Sequence, residues 1–248
     1  MTMKMKAILS GAVLFLVAGS LAVYWFYFSE PDALPGEKQM VKAINGLLPE
    51  AQAGEIQEVI KIDGKHAAAP FISKEGIYGV STWVWHRHKW KLGTVRTKGE
   101  PKIWKVDPED PSTYRIVWNI NPSEKNVDTL NFYYKRDRNY SVSGTRHEYT
   151  PSIRMKKEVS FDENPYGVLK LPDDWVAVME EMADGASDNG VFPLEGIMRQ
   201  VASGIGWLPL DENGKETFPE SAVNGSSYHT GLVEEEHIMI MNLDDVVE

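Results

Sequence analysis

Residues 83–91 read Trp-Val-Trp-His-Arg-His-Lys-Trp-Lys, with three tryptophans, two histidines and three cations in nine positions. Read as one strand, a period of two sets Trp83, Trp85, Arg87 and Lys89 on one face and Val84, His86, His88, Trp90 and Leu92 on the other. Two chemistries are open to such a set. His86 and His88, at i and i+2, reach a single metal ion if His147, His229, His237 or a carboxylate completes the site, since imidazole suits zinc-like ions where no thiolate is present. The spacing supplies no such third ligand, so no metal site and no cofactor is predicted.

The second chemistry is anion binding. Cations neutralise phosphate while aromatic rings and guanidinium planes stack on the ligand. The same mixture recurs in residues 133–138, where Tyr134, Arg136 and Arg138 are the candidates, with Arg146, Arg154, Lys156 and Lys157 beyond. Trp83, Trp85, Arg87, Lys89, Tyr134, Arg136 and Arg138 together form the predicted binding set. The competing reading is a solvated sheet face whose lysines discourage edge-to-edge aggregation.

Other chemistries fail on their residues. Asp173-Asp174 sits where a helix start favours negative charge, and Glu180-Glu181 falls off that helix's apolar face, so neither pair needs a catalytic role. Glu234-Glu235-Glu236 has no twelve-residue calcium loop around it. Neither Gly214-Lys215 nor Gly204-Ile205-Gly206 lies in a phosphate-loop or dinucleotide motif, and no serine sits in a nucleophile elbow. The chain has no cysteine, which removes disulfides, thiolate metal sites and thiol catalysis.

Among the elements that must position these residues, residues 7–28 carry no charge and are flanked by Lys4 and Lys6 before and Glu30 and Asp32 after. As a helix they measure about 33 Å, enough to cross a hydrocarbon core of about 30 Å. The flanking charges predict residues 1–6 in the cytoplasm and the remaining chain outside. The alternative, a signal peptide cleaved after Ala22, would leave the aromatic run 23–28 as a new terminus. An intact helix instead places those rings at the outer interface.

A linker at 29–36 with Pro31 and Pro35 is predicted to lead into an extracytoplasmic α+β domain over 37–248. Its expected elements are a helix over 37–48, a first strand over 55–63, and a meander of six or seven antiparallel strands over 77–161. A helix opening at residues 171–174 and ending just before Gly185, another from Pro193 to about Gly204, a turn at Asn213-Gly214 and a strand over 238–243 complete it. Strands in a block followed by helices in a block predict one sheet with helices on one face.

Net charge is −10, unevenly spread: residues 81–157 sum to +8 and residues 158–248 to −17. A split of this size predicts either a polyanion-facing surface or docking of the two parts. The expectation is therefore a single-pass membrane protein of the cell envelope with a non-catalytic binding or accessory domain, bound to the bilayer through residues 7–28. Its ligand would be an anionic polymer, lipid head groups or a partner protein, with no nucleic acid. The alternatives are a structural or assembly protein joined by its own charges, and a metal-dependent hydrolase centred on His86 and His88.

Overall fold

The computed structural model describes residues 3–28, 30–121, 123, 127–161, 165–187 and 203–246. Helix α1 (Met3–Phe28) has no polar face, and its described side chains, residues 9–25, are exposed on every side. Among the described residues no helix is long and apolar enough to cross a membrane.

The fold is α+β, with mostly antiparallel sheets. Helix α2 (Glu37–Leu47) starts after Gly36 with Glu37 in its first turn, and Pro49 follows the chain's exit at Leu48. The acid suits the helix's positive end and proline cannot prolong it. Met40 and Ile44 are fully buried on one face. Asn45 accepts from Ala53 N (2.7 Å) and donates to Ala53 O (2.9 Å), so a residue weak in helices ties α2 to the first strand.

The strands are β1 (Ala53–Ile56), β2 (Ile60–Lys61), β3 (His66–Ser73), β4 (Tyr78–Trp85), β5 (Trp90–Arg96), β6 (Gly99–Lys105), β7 (Arg115–Asn119) and β8 (Thr129–Arg136). There follow β9 (Asn139–Ser143), β10 (Arg146–Thr150), β11 (Ile153–Ser160), β12 (Tyr166–Lys170), β13 (Ser203–Leu210), β14 (Ser227–His229), β15 (Glu234–His237) and β16 (Met239–Ile240). Helix α3 (Asp173–Ser187) lies between β12 and β13, and α4 (Leu243–Val246) follows β16.

The first sheet runs β1-β3-β4-β5-β14, with β2 also on β3; the second runs β12-β7-β6-β15, and the third β11-β8-β13-β16. β9 and β10 form a separate hairpin. The second sheet is the middle layer. Val117 and Trp104 pack on Ala68, Val80 and Val84 of the first sheet, while Ile116, Trp118 and Ile103 pack with Leu130, Phe132 and Trp207 of the third. Burial on both faces explains the unbroken apolar run Ile116-Val117-Trp118. α2 covers the outer face of the first sheet through Met40, Ile44, Trp83 and Leu92, and α3 adds Trp175 and Val176 to the core of the second and third.

Several expectations need correction. The strand block 77–161 holds eight strands rather than six or seven, divided among several sheets rather than one meander. Two runs read as single strands are hairpins: residues 78–96 turn at 86–89, and residues 139–150 turn at 144–145. The first strand is split at 57–59 into β1 and β2, both paired to β3. Ser203 and Gly204 belong to β13 and not to a helix end; the rest of that predicted helix lies outside the described residues. The final strand is only β16, and Leu243 opens α4.

Candidate functional site: a basic aromatic hairpin tip

β4 and β5 pair Trp83 with Leu92, Val84 with Lys91 and Trp85 with Trp90, and His86 N donates to Lys89 O at 2.9 Å. Arg87 and His88 therefore occupy the two central positions of a tight turn, both left-handed with φ of 52° and 59°. That geometry is a type I′ hairpin turn, which normally takes Asn-Gly. Nothing in Arg-His announces it, so the sequence reads through the turn as strand.

The turn reassigns the faces. Cross-strand partners share a face, so Trp83, Trp85, Trp90 and Leu92 lie together. Trp83 and Leu92 are buried under α2, while Trp85 and Trp90 lie beyond it, half-buried, with ring centroids 5.8 Å apart. His88 adds to this group, 6.2 Å from Trp85, and stacks on Trp25 of α1 at 4.0 Å with an interplanar angle of 23°. Trp90 Nε1 donates to Asp32 O at 2.8 Å, so the tip is tied to both the end of α1 and the linker. Arg87, Lys89 and Lys91 point their charge into solvent. Among the described residues no acidic side chain pairs with these three cations. Their field is felt by His86: burial, then Lys91 and Arg87, holds its imidazole below the ordinary value, against protonation.

Of the predicted set, then, Trp85, Arg87 and Lys89 lie on one hairpin tip with Trp90 and Lys91, but the register puts Lys89 and Lys91 on the face opposite Trp85 and Trp90. Trp83 is a core residue, 2 % exposed, whose Nε1 donates to Ser81 Oγ at 3.0 Å. Tyr134, also 2 % exposed, lies in another sheet and packs on Trp175, with its hydroxyl on Met182 Sδ at 3.3 Å. Arg136 donates to Pro151 O at 3.2 Å, and Arg138 lies exposed between β8 and β9. These three do not join the tip's sheet, because the charge pattern of residues 133–138 belongs to β8 of the third sheet.

The histidines also separate. His147 bonds Tyr140 Oη at 2.6 Å, His229 pairs opposite Thr94, and His237 lies 3.9 Å from Glu100. Among the described residues no group of three or more His, Asp or Glu is placed to hold a metal ion.

A second charged region lies where the chain's acidic part returns. β14, β15 and β16 each take an edge position, one on each large sheet: β14 beside β5, β15 beside β6, and β16 parallel to β13. Residues 227–240 thus form a strap across all three. Period two turns Glu234 and Glu236 outward onto Lys105, at 3.3 and 2.7 Å, and Glu235 inward. Burial would lower the Lys105 ammonium, but Glu236 and then Glu234 outweigh it and raise it.

Glu235 accepts from Thr94 Oγ1 at 2.8 Å and lies 3.4 Å from Arg96 Nε, with both charged side chains almost wholly buried. Arg96 further donates to Glu100 O at 2.5 Å and Val117 O at 3.2 Å. This pair joins the first sheet to the second. Val233 of the strap occupies the space where a Cβ on Gly93 would stand. The sequence offers no calcium loop at Glu234–Glu236 and no strand signal either. Glutamate disfavours strands by itself, and this strand forms by pairing with β6, with Lys105 and Arg96 meeting its acids.

No protein-family model, curated protein or solved structure matches this chain.

Proposed function

We propose that this is a membrane-anchored, extracytoplasmic binding or accessory protein of the cell envelope, without catalytic activity, that holds phosphate-bearing anions at the β4–β5 tip. The observation that carries the reading is the trio Arg87, Lys89 and Lys91, exposed on the same hairpin tip as the half-buried Trp85 and Trp90, with no acidic partner among the described residues. Anchoring is supported by the uncharged stretch 7–28 and by a helix apolar all round, which water solvates poorly. The lysines before it and acids after it support an outside domain.

The test is retention of the detergent-solubilised full chain on immobilised polyphosphate at low and high salt. Each cation near an anionic surface contributes on the order of 1 kcal/mol, so changing Arg87, Lys89 and Lys91 together to Ser weakens binding by about a hundredfold. Binding that ignores both salt and the triple change would refute the reading.

A second reading, an assembly protein joined by its own charges, draws support from the strap. Glu234, Glu235 and Glu236 meet Lys105 and Arg96 within the chain. In that case high salt loosens the fold and releases no ligand.

A further inference from the structure

We infer that the β4–β5 tip docks on anionic phospholipid head groups of the same bilayer that holds α1, laying the domain against the membrane. This rests on the anchored, anion-binding reading above and names the ligand. The geometry that carries it is the stacking of His88 on Trp25, with ring centroids 4.0 Å apart, and the bond from Trp90 Nε1 to Asp32 O at 2.8 Å. Trp25 lies in the aromatic end of α1 beside Tyr24, and such rings settle at the boundary between hydrocarbon and water.

A side chain stacked on Trp25 therefore sits at the same depth. The head-group layer on each side of a bilayer is roughly 5–7 Å thick, comparable to the reach of one arginine or lysine. Arg87, Lys89 and Lys91 consequently open into the layer where lipid phosphates lie, and half-buried Trp85 and Trp90 have the amphipathic character that this layer favours. A soluble polymer would have to enter the space between domain and bilayer to reach these cations, whereas head groups are already there. The turn sequence agrees, for Arg and His hold left-handed positions that Asn-Gly would fill with less strain.

The absence of cysteine allows a single spin label to report depth. His86→Cys places it at the tip, and Asn213→Cys, in an exposed turn, serves as the control. Full-length protein is reconstituted in nanodiscs of phosphatidylcholine with or without phosphatidylglycerol. With phosphatidylglycerol, the tip label loses collisions with an aqueous relaxant and gains them with oxygen, while the control does not. Adding R87S, K89S and K91S returns the label to water, with circular dichroism and the unfolding midpoint confirming an intact fold.

A tip label equally aqueous in both lipids overturns the inference, and so does one equally interfacial in both and indifferent to the triple change, since the anchor alone would then set depth. Polyphosphate retention of the same protein separates the two levels. If retention persists while the label stays in water, lipid docking fails and the anion-binding reading stands. If both are lost, both fail.

Discussion

At the strap and at the hairpin tip, the same kinds of residue meet opposite fates. Arg96 and Lys105 are met by Glu235, Glu234 and Glu236, and their charge is spent holding sheets together. Arg87, Lys89 and Lys91 meet no acid among the described residues and face solvent. An excess of +8 over residues 81–157 therefore does not measure a binding surface. Part of it is internal cement, and the difference lies in which cations fall beside a returning acidic strand.

The comparison breaks first at Glu235. Replacing it with Ala strands the Arg96 guanidinium in the interior, and urea unfolding should lose about 3–5 kcal/mol. A loss under about 1 kcal/mol would put the pair on the level of surface ion pairs. Gly93→Ala should follow at about 1–3 kcal/mol, because the new methyl displaces Val233 and with it the strap. Hydrogen exchange over residues 227–240 should then accelerate, and unchanged protection would show that the strap is not seated there.

Removing both outer acids, E234Q with E236Q, should cost about 1 kcal/mol at low salt and little at high salt. Because the Lys105 value is raised in the fold, its share of stability is complete below its ordinary value of 10.5 and is lost as pH climbs through the higher folded value. Titration across neutral pH should leave it untouched.

At the tip the signs reverse. Arg87→Asn should stabilise the protein by about 0.5 kcal/mol, since Asn accepts the left-handed turn position more readily, while weakening polyphosphate retention. A parallel fall in both would make Arg87 a structural residue. The smallest effect is at His86. Its folded value is depressed, so its contribution is full above the ordinary 6.5 and declines as pH falls through that value toward the folded one. His86→Gln should abolish that slight acid sensitivity.

Local chemistry made some of this legible. α2 followed from its apolar spacing and Pro49, α3 from Pro172 and its acidic start, and the turn at Asn213-Gly214 from a glycine found at φ 72°. Alternation also located the strands of 77–161, though not their sheets, because a period of two is the same in every sheet. What escaped depends on distant partners. The turn at Arg87-His88 carries no turn residues, β15 is a strand only beside β6, and Tyr134 has the composition of a surface strand yet packs on Trp175. At the candidate tip, the sequence pattern singled out Trp85, Arg87 and Lys89. It missed Trp90, Lys91 and the contact with Trp25, which joins residues 63 positions apart.

The strap also sets a timetable. The bond from Thr94 to Glu235 closes a span of 141 residues, and β14, β15 and β16 pair the otherwise open sides of β5, β6 and β13. During synthesis the first sheet is available long before residue 240 leaves the ribosome, so Arg96 must wait with its charge exposed and the edges of β5, β6 and β13 unpaired. Such long-range closure is intrinsically slow. The interval before the strap arrives is when this protein is most open to proteases and to pairing with its own copies.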